Sequence, residues 1–483
     1  MPTRLPSGLI AGLLVGAGIL VVPPPDGLPP EAWRALAVAM LMAIWWTTDA
    51  IPISATALLP LALFPLLGIM PIRDAAAPYA NPLVYLFLGG FLVAAAMQRW
   101  DLHRRIALNI AVRTGAGPSR LVAGFMLATA FLSMWISNTA TAMMMLPIAL
   151  SVIAVVTGEQ ETAGAPARTA FGTSLLLGIA YAASIGGMGT LVGTPPNAFL
   201  SGFFQETYDI EIGFAQWMLL AMPVVVILLP VCWFVLTQIV FRSGPSAAPG
   251  MGHDVLRKAR DELGTTSSAE WRIGLVFASV ALLWMARPLL SDIPGLSGLS
   301  DPGIAIAAGI LLFIIPAGPV APTRNLLIWD DTRKVPWGVL ILFGGGLSLA
   351  SAISKTGLAA WLGAQLGDAS ILHPVLFVLL IAGVVILLTE ITSNLATTAA
   401  FLPVIAAVAD GAGIAPLTLA APAAMAASCA FMLPVATPPN AIMFGSERLV
   451  IRDMMRAGIY MNLLALFAIG AAATFLVPIV FGN

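Results

Sequence analysis

The chain has 483 residues, of which 59% are hydrophobic and only 9% charged, with a mean hydropathy of +0.96. No water-soluble fold has enough interior to hide that much apolar surface, so the composition excludes a soluble enzyme or binding module and requires an all-α polytopic membrane protein. The formal net charge of −1 says little as a sum, because a bilayer separates the charges in space and their distribution is what matters.

The apolar run 8–22 follows Arg4 and stops at Pro23-Pro24-Pro25; with no convincing cleavage site behind it, it reads as a first span rather than a removed leader. Spans near 32–48, 54–69 and 81–98 follow, then an apolar hairpin over 120–155, a segment over 169–202 interrupted at Thr194-Pro195-Pro196, and a span over 216–241. Residues 242–271 form the one long hydrophilic insertion, a polar loop that marks a seam between halves. Beyond it come spans near 272–290, 303–318 and 336–354, a hairpin over 373–409, a broken segment over 416–444 and a last span over 457–481. Asp49 reads as an interfacial residue at a helix end, and His103, His253 and His373 as loop or interfacial histidines. Cys232 and Cys429 sit inside apolar runs with no Cys/His cluster nearby, so neither a disulfide framework nor a metal site of that kind is indicated.

The two hairpins share a sequence. Residues 131–149, FLSMWISNTATAMMMLPIA, return 256 positions later as LLTEITSNLATTAAFLPVI, so that Ser137-Asn138 meets Ser393-Asn394 and Leu146-Pro147 meets Leu402-Pro403. At the same offset Gly89-Gly90 meets Gly345-Gly346, where small residues either let helices approach closely or touch substrate. Each hairpin is followed by a second shared phrase, Gly193-Thr194-Pro195-Pro196-Asn197-Ala198 and Ala436-Thr437-Pro438-Pro439-Asn440-Ala441. Duplicated polar hairpins and proline-broken helices are how a secondary transporter with internal repeats reads. The organisation expected is 1–80 as mainly scaffold, 81–241 as a first repeat, 242–271 as a cytoplasmic linker and 272–483 as a second repeat.

Charge tests this arrangement. With a cytoplasmic amino terminus and hairpins that return to the side they entered from, 18 of the 22 Lys and Arg fall inside and four, Arg34, Arg73, Arg287 and Lys355, outside. The first hairpin then enters from the cytoplasm and the second from outside, which makes the repeats inverted and puts the carboxyl terminus outside the cell membrane.

The polar clusters suggest a site. Pro195-Pro196 and Pro438-Pro439 remove amide donors and leave carbonyls near Gly193 and Ala436 as hard oxygen ligands of the kind cations bind at broken helices. The hairpin tips add Ser133, Ser137, Asn138, Thr139 and Thr141 in one half and Thr389, Thr392, Ser393, Asn394 and Thr397 in the other. Hydroxyls and amides offer oxygen to a cation and hydrogen to an anion, and a helix amino terminus adds roughly half a positive charge. No Lys or Arg occurs over 121–167, 169–241 or 356–447, so an anion held there finds no fixed side-chain cation, and bound metal ions are the simplest remedy. Glu390 reads as either a functional carboxylate or a strut for the hairpin.

At these residues the chain resembles the divalent anion/sodium symporter family, which includes transporters of dicarboxylates, citrate and sulfate. The resemblance rests on LFLGGFLVAAAMQRWDLHRRIAL, SNTATAMMMLP, GTPPNA, ILFGGGLSLASAISKTGLA, LTEITSNLATTAAFLP and SCAFMLPVATPPNAIMF, in order over nearly the full chain. It implies an inverted-repeat, elevator-type homodimer in the lipid bilayer, with about eleven transmembrane helices and two re-entrant hairpins. It also implies one sodium site at Ser133, Ser137, Asn138 and the Gly193 carbonyl, and another at Thr389, Thr392, Asn394 and the Ala436 carbonyl. Substrate would touch Ser137, Asn138, Thr139, Thr194, Ser393, Asn394, Leu395, Thr437 and Pro438.

One departure is informative. Dicarboxylate carriers of the family typically repeat Ser-Asn-Thr, whereas the second hairpin here reads Ser393-Asn394-Leu395. Losing that hydroxyl removes a net about 0.5–1.5 kcal/mol of hydrogen bonding and leaves a C4-dicarboxylate, another dicarboxylate or sulfate open as substrate. The leading expectation is sodium-coupled symport of a divalent anion, with sodium-independent exchange as the alternative. Neither hairpin contains the His or Cys that an intramembrane enzyme would want, a channel gains nothing from paired hairpins, and nothing points to nucleic acid.

Overall fold

The computed structural model describes residues 7–158, 169–242, 250–319, 321–365 and 373–482. The described residues are helical throughout, apart from turns and an isolated bridge between Pro316 and Asn325. The first quarter comprises α1 (Ser7–Val21), α2 (Pro30–Thr47), α3 (Ile53–Thr56), α4 (Leu59–Leu66), α5 (Ile72–Ala76) and α6 (Pro82–Arg99). Next come α7 (Leu102–Arg113), α8 (Pro118–Ser133), α9 (Asn138–Thr157), α10 (Ala170–Gly187), α11 (Pro195–Tyr208), α12 (Phe214–Phe234, continued by a π-turn over Val235–Val240) and α13 (Met251–Asp261). The second half comprises α14 (Ser268–Leu290), α15 (Asp301–Ile314), α16 (Trp337–Lys355), α17 (Leu358–Gln365), α18 (Pro374–Thr389), α19 (Asn394–Gly411), α20 (Pro416–Ala426), α21 (Pro438–Phe444) and α22 (Ile451–Phe481).

Proline sets many of these boundaries. It opens α2, α6, α8, α11, α18, α20 and α21, positions where a helix has no use for the missing N–H. Pro195-Pro196 and Pro438-Pro439 therefore begin helices rather than sit within them, and the irregular backbone lies before each pair, over 188–194 and 427–437. Among the described residues eight helices are long and apolar enough to cross a bilayer, with shorter apolar helices of 10–17 residues between them.

The order of elements repeats. A glycine-rich helix, a short helix, a helical hairpin, a helix, an unwound segment and a Pro-Pro helix occur as α6 to α11 and again as α16 to α21. The sequence reading names no element over 102–113 or 358–365, where α7 and α17 begin at matching positions. Both glycine pairs serve packing. A Cβ at Gly89 would come within 2.4 Å of the Ala305 backbone, and one at Gly345 within 2.1 Å of the Ala57 carbonyl, so α6 presses on α15 and α16 on α3 as only glycine allows.

The 242–271 insertion is less loop-like than expected, although 243–249 fall outside the described residues. Within it α13 buries Leu256, and Gly252 lies against Val156 and Leu121, at the far ends of α9 and α8 from their shared turn. The Nε2 of His253 meets the Val112 carbonyl at 2.8 Å, the Nδ1 of His103 meets the Met97 carbonyl at 3.0 Å, and His373 caps α18. All three histidines have structural partners.

Charged pairs tie the flanking helices. Arg105 on α7 donates to Glu270 at the start of α14, at 2.6 Å, and to the carbonyls of Leu263 and Gly264. Arg99 pairs with Asp331. Arg287 on α14 binds Asp301 at 2.9 Å and Glu211 at 2.8 Å, and Asp301 also accepts the Phe214 amide, so one node joins α14, α15 and the start of α12.

Candidate functional site

Each hairpin turns inside its own hydrogen-bonded knot. In the first, the Ser133 hydroxyl ends α8 and points to two oxygens, the side-chain oxygen of Asn138 at the start of α9 and the Ala183 carbonyl of α10 at 2.7 Å. In the second, the Thr389 hydroxyl points to the side-chain oxygen of Asn394 at 2.9 Å and the Ala427 carbonyl at 2.7 Å. A hydroxyl has only one hydrogen to give, so in each knot three oxygens share one proton and crowd a small volume. That geometry suits a cation better than it suits itself.

The unwound segments are held by a second duplicated device, one that sequence reading quoted without assigning a role. Asn197, just after Pro195-Pro196, donates its amide to the carbonyls of Gly187, Met188 and Thr190 at 3.1, 3.2 and 2.7 Å. Asn440 donates to Ala430 and Leu433 at 3.1 and 3.0 Å. Backbone groups in a membrane interior must be paired within the protein, and each asparagine staples carbonyls that the missing helical turn leaves behind. The side-chain oxygens of both asparagines are buried without a hydrogen-bond partner, as are the hydroxyls of Ser184 and Ser428, which end the shared phrase Ala-Ala-Ser at 182–184 and 426–428.

The knots and the unwound segments adjoin. A Cβ placed on Gly187 would come within 2.6 Å of the Asn138 side-chain oxygen and 3.2 Å of the Gly193 carbonyl, so the absence of a side chain here lets hairpin tip and break approach closely. In the same half Thr190 donates to the Met134 carbonyl at 2.5 Å and accepts the Gly193 amide at 3.0 Å, tying hairpin to break. Trp217 of α12 braces the break by donating to the Met188 carbonyl at 2.9 Å.

In the second half Glu390 makes the tie. Its carboxylate, on a residue only 4% exposed, accepts the amides of Phe431, Met432 and Leu433 and the side chain of Asn462 at 2.8–3.1 Å. Of its two readings from sequence, the strut is the one this geometry supports.

The sequence-derived residues divide as follows. Ser133, Asn138 and the Gly193 carbonyl come together, while Ser137 caps α9 by accepting the Ala140 amide at 3.3 Å. Thr389 joins Asn394, but Thr392 turns to the Leu388 carbonyl at 2.8 Å and to Thr397. Ser137, Asn138, Thr139, Ser393 and Asn394 are half-buried and Pro438 is exposed, whereas Gly193, Thr194, Ala436 and Thr437 are buried, with Thr437 accepting the Asn440 amide at 3.3 Å. Leu395 is buried, at 4% exposure, unlike its half-buried counterpart Thr139.

The halves interlock at this centre. The Pro-Pro helix α11 packs on α19 of the second hairpin and α21 packs on α9 of the first, while Met188 in one break touches Cys429 in the other.

Residues 4–481 match the family model described as the sodium:sulfate symporter transmembrane region. The chain belongs to this family. Its relatives include the sodium-dependent dicarboxylate transporter SdcS from several strains of Staphylococcus aureus, 44% identical over 98% of this chain and 92% of theirs. As a family member it is an integral membrane transporter and not an enzyme. Two solved structures share the fold at 14% identity. MtrF of Neisseria gonorrhoeae, of a class of antimetabolite efflux pumps, aligns with a TM-score of 0.60 over 96% of each chain. The YdaH transporter of Alcanivorax borkumensis aligns with a TM-score of 0.57 over 94% of this chain and 99% of its own.

Proposed function

We propose that this member of the sodium:sulfate symporter family couples sodium to the transport of a small dicarboxylate. The observation that carries the reading is the duplicated knot, in which a hydroxyl, an asparagine oxygen and a backbone carbonyl crowd together beside unwound helix in each half. Hard cations take oxygen ligands of this kind. Ser133, Ser137, Asn138 and the Gly193 carbonyl would hold one sodium ion, and Thr389, Thr392, Asn394 and the Ala436 carbonyl a second. The fit in the first half is supported by the Asn138 side-chain oxygen and the Gly193 carbonyl both approaching the same side of Gly187.

The substrate would lie between the hairpin tips, against Ser137, Asn138, Thr139, Ser393, Asn394, Thr194, Thr437 and Pro438, with Leu395 shaping one end. The stretches 121–167, 169–241 and 356–447 contain no Lys or Arg, so sodium would supply the positive charge that a dianion needs there. Binding of cation and anion then becomes interdependent, which is coupling in its thermodynamic sense. The relatives named for sodium-dependent dicarboxylate transport favour a dicarboxylate over sulfate. The unit bearing both hairpins would move as one against the flanking helices in a homodimer, with inverted repeats setting the two directions of access.

The test is uptake into proteoliposomes with and without an inward sodium gradient, and with dicarboxylate preloaded. Sodium-driven accumulation of succinate is the expected result. Uptake indifferent to sodium and stimulated by preloaded dicarboxylate would replace symport with exchange.

A further inference from the structure

The first helix packs along α2. Gly8, Gly12 and Gly16 lay α1 against it, and two tryptophans of α2 pin the pair, Trp45 donating to the Leu9 carbonyl at 3.2 Å and Trp33 to the Val22 carbonyl at 2.8 Å. Beyond Val22 the chain turns through Pro23-Pro24-Pro25 into α2, and α4 stops at Leu66 at this same end. Between them lies an open cavity of about 580 Å³, a volume in the range of small-molecule sites. Leu20, Val21 and Pro24 line it from the α1 side and Leu66 and Leu67 from the end of α4, and Arg34 is the one charged residue in its wall. The half-buried Arg34 guanidinium donates to the Leu67 carbonyl at 2.8 Å, which fixes its place, and forms no ion pair among the described residues. Asp26 and Glu31, the nearest acids in sequence, are exposed and line no part of the cavity. A guanidinium carries its N–H donors in a planar fork, so most of them stay available for a ligand that brings oxygen and negative charge. Val21 and Leu66 are 85% and 78% exposed, and exposed apolar helix surface in a membrane protein faces lipid, so the cavity opens to the bilayer.

We propose that this cavity binds an anionic phospholipid, with the phosphate on Arg34 and the start of the acyl chains against Val21 and Leu66. Arginine pairs with phosphate through two parallel hydrogen bonds, and Trp33 beside it is a residue type that sits where hydrocarbon meets headgroups. A free dicarboxylate or inorganic phosphate would find one charge and otherwise apolar walls, whereas a phospholipid matches both. With no acid in the wall, a choline or ethanolamine ammonium gains no partner, which favours a headgroup of net negative charge. The lipid would fill the gap between α1 and α4, which have no extensive contact of their own. None of these residues belongs to the transport site.

The experiment is thermal unfolding of the purified, delipidated protein in detergent micelles, titrated with phosphatidylglycerol, phosphatidylcholine or inorganic phosphate. Wild type is compared with Arg34→Gln and Leu66→Trp. Phosphatidylglycerol is expected to raise the unfolding temperature of wild type more than phosphatidylcholine does, and inorganic phosphate to leave it unchanged. Arg34→Gln is expected to need about tenfold more phosphatidylglycerol for half the effect, the scale of one charged contact, and to lose the preference over phosphatidylcholine. Leu66→Trp keeps the guanidinium but fills the apolar wall, and is expected to lose the same preference. Equal stabilisation of wild type by both lipids, or a phosphatidylglycerol response unchanged in folded Arg34→Gln, would overturn the proposal. Inorganic phosphate matching phosphatidylglycerol would assign Arg34 to a free anion and overturn the lipid. If Arg34→Gln does not fold, Leu66→Trp decides: an undiminished preference there overturns the site, and its loss supports it.

Discussion

The thiol of Cys429 points at the thioether of Met188 across 3.7 Å, and this contact joins the two unwound segments, one from each half of the chain. Both residues belong to stretches that have lost their helical hydrogen bonds, and each stretch is held by its own asparagine staple and hairpin tie. The two irregular segments thus support one another at a buried centre, 241 positions apart in sequence.

Asn138→Ala and Asn394→Ala are expected to reduce sodium-driven uptake to background while leaving a folded protein. Each removes one side-chain hydrogen bond within its knot, a stability change of about 1 kcal/mol, but takes away an oxygen assigned to both cation and anion. Uptake in proteoliposomes, paired with size-exclusion profiles and thermal unfolding, checks both halves of the statement. Near-normal uptake by both variants would mean that the site lies elsewhere.

Gly187→Ala introduces a methyl group 2.6 Å from the Asn138 side-chain oxygen and 3.2 Å from the Gly193 carbonyl, well inside van der Waals contact. The asparagine must swing away from its knot. Sodium dependence is expected to weaken by at least about tenfold, with a smaller loss in unfolding temperature, since the nearest obstacle is a side chain and the Gly193 carbonyl lies farther off. A sodium titration of uptake that matches wild type would show that the cation does not depend on this placement of Asn138.

Asn440→Ala leaves the Ala430 and Leu433 carbonyls without their staple, and Asn197→Ala does the same to Gly187, Met188 and Thr190. Each is expected to cost about 1–3 kcal/mol of stability, the penalty for buried polar groups left unpaired, with the larger loss at Asn197. Thermal unfolding in detergent, with and without sodium, measures it.

Leu395→Thr restores the hydroxyl that the first hairpin carries at Thr139. Because Leu395 is almost fully buried, the new hydroxyl must find a partner, and the expected consequence is a shifted order of inhibition by succinate, malate, citrate and sulfate. An unchanged order in a competition panel would mean that this position does not shape the substrate chamber.

Arg287→Ala strands Asp301, which also caps the start of α12 through the Phe214 amide. Removing one partner of a buried ion pair is expected to cost about 3–5 kcal/mol, and Arg287→Lys, which keeps the charge but not the fork that reaches both Asp301 and Glu211, should recover part of it. Chemical or thermal unfolding of the three proteins side by side provides the comparison.

Several of these features are legible in the residues themselves. Composition alone demands membrane helices, and the phrases around Ser137-Asn138 and Ser393-Asn394 mark both hairpins and their shared design, because a polar cluster in an apolar run has to be justified by its neighbours. The Pro-Pro pairs mark the breaks, although proline opens the following helix and the unwound backbone precedes it. Helix α13 hides in a polar stretch because an amphipathic helix that buries only Gly252 and Leu256 shows little apolar signal. The asparagine staples escape because Asn197 and Asn440 read as part of a motif, and only the folded backbone reveals which carbonyls their amides reach.

The sequence by itself determined that this is a helical membrane protein built twice over, with polar oxygens set into apolar hairpins, since burial in lipid and duplication are both written in residue type and spacing. Only the tertiary structure decided that Ser133 and Thr389 each crowd an asparagine and a backbone carbonyl, that Glu390 braces an unwound segment, and that Met188 meets Cys429. Those contacts join residues up to 241 positions apart, and distance in space between such positions is set by how helices pack, which no local pattern encodes.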